Sequence, residues 1–118
     1  MVEAWTFAFL VTLSIEGVIY LGCPLSSWRR RSQTTKMRDC FFIHCFTHPM
    51  VFFVFAWCFG ANTLTYLMSA EAFAIGVEGL WLAYRGYRYA FVMSVAANLA
   101  SWFLGGPLAR ALWTFFQQ

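Results

Sequence analysis

Apolar residues fall in four long blocks separated by short polar intervals. The first is about Ala4–Gly22, AWTFAFLVTLSIEGVIYLG. The second is about Cys40–Gly60, CFFIHCFTHPMVFFVFAWCFG. The third is about Leu64–Tyr84, and the fourth about Tyr89–Leu108, YAFVMSVAANLASWFLGGPL. A helix needs about 20 mainly apolar residues to cross a bilayer, so each block is long enough for one crossing. The pattern predicts an all-α polytopic membrane protein, four transmembrane helices in an antiparallel bundle, forming a single domain over residues 1–118. Pro49 lies inside the second block, where it removes a backbone donor, frees the carbonyl of Cys45 and predicts a kink.

Composition strengthens this reading. The chain is 61% hydrophobic, 21% aromatic and 11% charged, with 14 Phe and 6 Trp. Soluble domains are about half apolar and about a quarter charged. The aromatic excess must face an apolar medium, so the lipid bilayer is the expected partner. No basic residue precedes the first block, and Glu3 and Glu16 do not suit a cleaved signal peptide. Cys23, Cys40, Cys45 and Cys58 make neither a C-x-x-C pair nor a zinc spacing. They read as small buried hydrophobes. A Cys23–Cys40 disulfide is not expected, because the topology puts both near a reducing cytoplasm.

Charge sets the orientation. The net charge is +3, and seven of the eight Lys and Arg lie in two intervals. Arg29, Arg30, Arg31, Lys36 and Arg38 sit between the first and second blocks, and Arg85 and Arg88 between the third and fourth. The positive-inside rule predicts cytoplasmic basic loops with both termini outside, in a multi-pass protein of the inner membrane. The same seven residues are expected at the membrane surface against anionic headgroups. Orientation alone accounts for them, so no nucleic-acid partner is expected. Trp5, Trp28, Trp57, Tyr84, Tyr87, Tyr89 and Trp113 fall near block ends, where aromatic side chains anchor at the headgroup level.

The candidate chemistry lies inside the blocks. Asp or Glu at a helix centre costs about 2.5–3.5 kcal/mol on insertion scales, yet Glu16, Glu71 and Glu78 all fall within predicted spans. No Lys or Arg sits inside a predicted span to pair with them. Glu71 and Glu78, seven apart, share a helix face. Ser94, Asn98, Ser101 and Gly105 form one small-and-polar stripe, suited to close helix approach in the bundle or in a homodimer or larger membrane complex. His44, Thr47 and His48 share a face just before Pro49. At a rise of about 1.5 Å per residue, Glu16, Glu78, His48 and Asn98 fall in one layer, about 9–13 Å from the cytoplasmic helix ends. The same reckoning puts His44 and Ser94 below that layer, and Glu71 alone toward the outside.

Three functions are open to such a core. A structural or accessory membrane subunit would use it to hold helices together. A small proton- or cation-coupled transporter or channel would use Glu78, His48 and Glu16 as a relay, with Glu71 as the outer station. A metal-binding protein would use His44 and His48, which at i, i+4 can ligate one ion with help from Glu16 or Glu78. The structural subunit is the first expectation. A bis-histidine haem would need a histidine on a second helix, and both histidines lie in one block; the cofactor question is otherwise open. An enzyme is not expected, since Asp39 stands alone at a span edge and neither H-E-x-x-H nor a glycine-rich phosphate loop occurs.

SIEGVIY in the first block resembles GVEGLWLAY in the third, which suggests a duplicated helical hairpin. A glutamate in the first span, T-x-P in the second (Thr47–Pro49), E-x6-E in the third and S-x3-N-x2-S-x3-G in the fourth resemble small four-span bacterial membrane proteins with no assigned activity. That resemblance implies an integral inner-membrane location. Length, four spans and Glu16 also bear a loose likeness to the small multidrug resistance transporters, in which Glu16 would match the proton- and drug-binding glutamate.

Overall fold

The computed structural model describes residues 2–61 and 63–116; Asn62 in the second loop and the side chain of Trp113 lie outside the described residues. These residues are mainly helical, without strands. Helix α1 is Val2–Gly22, and the short α2 is Ser26–Arg29. Helix α3, Gln33–Pro49, continues through a wide π-helical turn at Met50–Phe55 into α4, Ala56–Phe59. Helix α5 is Leu64–Tyr84. Helix α6, Ala90–Ala100, passes through a second π-helical turn at Ser101–Gly105 into α7, Gly106–Phe116.

Starts and breaks follow local chemistry. The Ser32 hydroxyl accepts from the Thr35 amide at 3.1 Å, and the Thr63 hydroxyl from the Tyr66 amide at 3.1 Å. Each satisfies a backbone donor that the first turn of its helix leaves free. Both π turns adjoin a proline, Pro49 or Pro107. Proline withholds one backbone donor, so α-helical pairing cannot continue unchanged and a wider turn takes its place.

Three stretches are long and apolar enough to cross a membrane: Trp5–Gly22, Gln33–Phe59 and Ala90–Leu112. The predicted third span, Leu64–Tyr84, is a helix of 21 residues that is not among them, because Glu71 and Glu78 lower its hydropathy. The second stretch starts seven residues earlier than its apolar block, and the last continues past Leu108. That extension brings Arg110 into a long apolar helix, so the spans are not free of cations as the apolar blocks suggest.

Helices α5 and α6 pack most closely. Small residues line their contact, with Ala70, Ala74, Ala90, Ser94 and Ala97 all buried. Gly79 is required there, because a Cβ at that position would run into the ring of Phe91. The predicted stripe divides between neighbours. Ser94 donates to the Ile75 carbonyl of α5, whereas Gly105 lies against Val11 and Ile15 of α1. Large apolar side chains cover the outside: Trp57 is 85% exposed, Leu64 74% and Val18 71%.

The two basic loops close one end of the bundle, the basic end. There Tyr20, Cys23, Trp28, Cys40, Leu82, Tyr87 and Ala90 form a buried cluster that continues to Ala97. Trp28 stacks on Tyr20 at 5.5 Å, meets Tyr87 at 4.3 Å, and donates to the Arg88 carbonyl. Trp28 and Tyr87 are therefore core residues and not interfacial anchors, whereas Trp57, Tyr84 and Tyr89 stay exposed. Cys23 and Cys40 are buried, free thiols; Cys45 and Cys58 are exposed, against the expectation of burial.

Asp39 anchors the same end. Arg85 Nε donates to its Oδ1 at 3.1 Å and the Tyr87 hydroxyl to its Oδ2 at 2.9 Å. Trp81 donates to its backbone carbonyl at 3.1 Å. Burial, and the Asp39 carboxylate that accepts its hydrogen bond, push the Tyr87 phenol from 10.0 up to about 12. Arg31 stacks over the Tyr87 ring at 4.5 Å and donates to the Arg85 carbonyl. It also passes close to Gly86, whose φ of 81° favours a glycine. Lys36 is buried and donates to the Leu21 carbonyl at the end of α1. Three of the seven predicted surface cations, Arg31, Lys36 and Arg85, thus serve internal contacts. Arg29, Arg30, Arg38 and Arg88 are exposed.

Candidate functional site

Four helices each contribute one buried polar residue to a single centre. They are Glu16 of α1, His44 of α3, Glu78 of α5 and Asn98 of α6. His44 Nδ1 lies 2.7 Å from the Cys40 carbonyl, one turn back on its own helix. A carbonyl can only accept, so Nδ1 carries the proton and Nε2 points into the centre. His44 Nε2 is 2.9 Å from Glu16 Oε2 and 4.0 Å from Glu78 Oε1.

Glu78 is held from three sides. Asn98 Nδ2 donates to Oε2 at 2.7 Å, and its amide also reaches the Ser94 carbonyl at 3.0 Å. The Thr47 hydroxyl lies 3.1 Å from Oε1 and 3.1 Å from the Ile43 carbonyl, which compete for its one proton. The Tyr20 hydroxyl is 3.5 Å from Oε2. Both carboxylates are thus withdrawn from solvent with polar neighbours, as buried ionisable groups require.

The centre adjoins a cavity of about 400 Å³, partly open to the outside of the bundle. One face of each long helix lines it, from Ala8 to Glu16 on α1, from His44 to Val51 on α3 and its π turn, from Ala70 to Glu78 on α5, and from Asn98 to Arg110 on the last helix. On each of these helices the lining residue nearest the basic end is Glu16, His44, Glu78 or Asn98. The polar centre is the floor of the cavity, and the Tyr20–Trp28–Tyr87 cluster lies below it. Glu71 and Arg110 line the same cavity, away from the floor.

The depth reckoning and the structure differ on the histidines. It is His44, not His48, that meets Glu16. Helix α3 begins at Gln33, so Cys40 does not mark its end, and depth counted from Cys40 is offset. His48, one turn further, lines the cavity and packs edge-on against Phe9 at 5.3 Å, with its Nδ1 buried and unbonded. Ligand atoms of Glu16, His44 and Glu78, one from each, lie within 4.8 Å of one another, a grouping that includes His44 of the expected histidine pair together with both expected helper carboxylates. Ser94 joins the centre through Asn98, while Ser101 donates to the Asn98 carbonyl from the π turn. Thr47, read from the sequence as sharing the face of His44, reaches Glu78, and Tyr20 is a further neighbour that the polar pattern did not single out. Tyr20 was legible as the aromatic one turn after Glu16.

No protein-family model, curated protein or solved structure matches the chain.

Proposed function

We propose that this is a small cation-handling protein of the membrane, one that admits a proton or cation from one face to the Glu16–His44–Glu78 centre. The supporting observation is that the centre forms the floor of a cavity and is not sealed between helices. A polar group that only joins helices has no need of a space of about 400 Å³ beside it. In this reading all four long helices span the bilayer, α5 being tolerated because its glutamates face the protein. The basic loops then lie in the cytoplasm, and the cavity opens toward the side of the termini. The inner membrane is the proposed location and the reading assigns no catalysis. A homodimer or larger complex would cover part of the exposed apolar surface.

One observation favours a second reading, the structural or accessory subunit. The hydrogen bonds of the centre join α1, α3, α5 and α6 at a single point. Flux measured in proteoliposomes separates the two. On the cation-handling reading the wild type carries a pH- or cation-dependent flux that Glu78→Gln abolishes with helicity unchanged. A wild type without any such flux leaves the structural reading in place.

A further inference from the structure

We propose that Glu16, His44 and Glu78 ligate a divalent transition-metal ion of the zinc class, with the cavity serving the remaining coordination position. This rests on the cation-handling reading and names its cation.

Geometry is the first argument. Zinc bonds of about 2.0–2.1 Å at a tetrahedral angle put ligand atoms about 3.4 Å apart. The separations from His44 Nε2 are 2.9 Å to Glu16 and 4.0 Å to Glu78, on either side of that value. Side-chain shifts of about half an ångström would equalise them, and the three ligand atoms already lie within 4.8 Å of one another. The surrounding hydrogen bonds already orient the donors. The Cys40 carbonyl holds the proton on Nδ1 of His44 and leaves the Nε2 lone pair facing the carboxylates, as ligating histidines are commonly held. Asn98 holds Oε2 of Glu78, and Oε1 faces His44 with the Thr47 hydroxyl beside it.

Charge is the second argument. Among the described residues no Lys or Arg pairs with Glu16 or Glu78. A divalent ion neutralises two carboxylates, whereas a monovalent ion leaves one buried charge uncompensated. Donor type then narrows the metal. One imidazole and two carboxylates suit Zn²⁺, Mn²⁺, Fe²⁺ or Co²⁺ better than the all-oxygen preferences of Ca²⁺ and Mg²⁺ or the sulfur preference of Cu(I). The Cys40 thiol lies against Nδ1, on the side of the ring away from the centre. Access is the third argument. The cavity reaches the ligands, and His48 stands on its wall with Nδ1 unbonded.

The test uses the full chain in mild detergent, loaded with Zn²⁺ and dialysed against a roughly hundredfold excess of Mg²⁺. Metal analysis should find about one zinc per chain, and His44→Gln and Glu78→Gln should each lower retention at least roughly tenfold. X-ray absorption on the loaded wild type needs no variant. It should show nitrogen and oxygen neighbours with the scattering of a single imidazole. Failure to retain zinc, retention unchanged in both variants, or sulfur in the inner shell would each overturn the site. Zinc retention without flux keeps the site and removes transport. Proton or sodium flux without zinc retention does the reverse.

Discussion

The two ends of this bundle solve opposite problems. At the basic end, loops and helices are fastened by contacts that leave almost no room. Trp28 sits between Tyr20 and Tyr87, while Asp39 accepts hydrogen bonds from Arg85 and Tyr87. Toward the termini, both proline-bearing helices widen into π turns and a cavity of about 400 Å³ lies between the helices. The Glu–His–Glu centre marks the boundary. The difference teaches that buried carboxylates can be held by hydrogen bonds at the edge of a cavity without being enclosed on every side. Here the tight end carries the structure, and the loose end gives the polar floor its access.

The comparison breaks first at Trp28. Trp28→Ala empties a packed aromatic site and should lower stability by about 3–5 kcal/mol, whereas Phe103→Ala, on the exposed apolar surface, should change it by less than about 0.5 kcal/mol. Denaturant titration in mixed micelles reads both; equal losses would show that the ends are not energetically distinct.

A smaller effect separates loop chemistry from packing. The Tyr87 phenol titrates near 12 in the folded protein against 10.0 when unperturbed. Its protonated form is therefore the one folding favours. That contribution is complete below pH 10 and fades as pH rises toward 12. Tyr87→Phe should cost about 1.5–3 kcal/mol near neutrality, as expected for a hydrogen bond to a charged group, and should flatten the alkaline loss of stability. An alkaline limb unchanged in Tyr87→Phe would assign it to another group.

The smallest change concerns the open end. Ala8 lines the cavity, and Ala8→Leu would narrow it with little strain. Stability should move by less than about 1 kcal/mol, while zinc loading followed by stopped flow should slow roughly tenfold, a barrier increase of about 1.4 kcal/mol. Unchanged loading would mean that the ion arrives by another route.

Much of the helical order was legible in the apolar blocks, because block length alone marks where helices can cross a bilayer. The centre was partly legible as well. Glu16, Glu78 and Asn98 stood out as costly residues in apolar surroundings. Helix ends were less readable. Polar residues 33–39 hide the true start of α3, and that offset exchanged His44 for His48. Asp39 looked solitary because its partners, Arg85 and Tyr87, are 46 and 48 residues away. Arg110 looked like tail because Gly106 and Pro107 resemble a terminator, whereas the helix resumes beyond its π turn.

Lys36 gives the molecule a direction in time. Its bond to the Leu21 carbonyl lies wholly within the first hairpin, as do the turn bonds from the amides of Trp28 and Arg29 to Leu25. All these partners are synthesised before Leu64. The first hairpin can therefore emerge with its loop already tied. The Trp28 ring cannot be finished then, because Tyr87 and Arg88 are still to be translated. Until the second half arrives, the indole has its Tyr20 neighbour and lacks its contacts to Tyr87 and Arg88, which tie the two halves of the chain together once both are made.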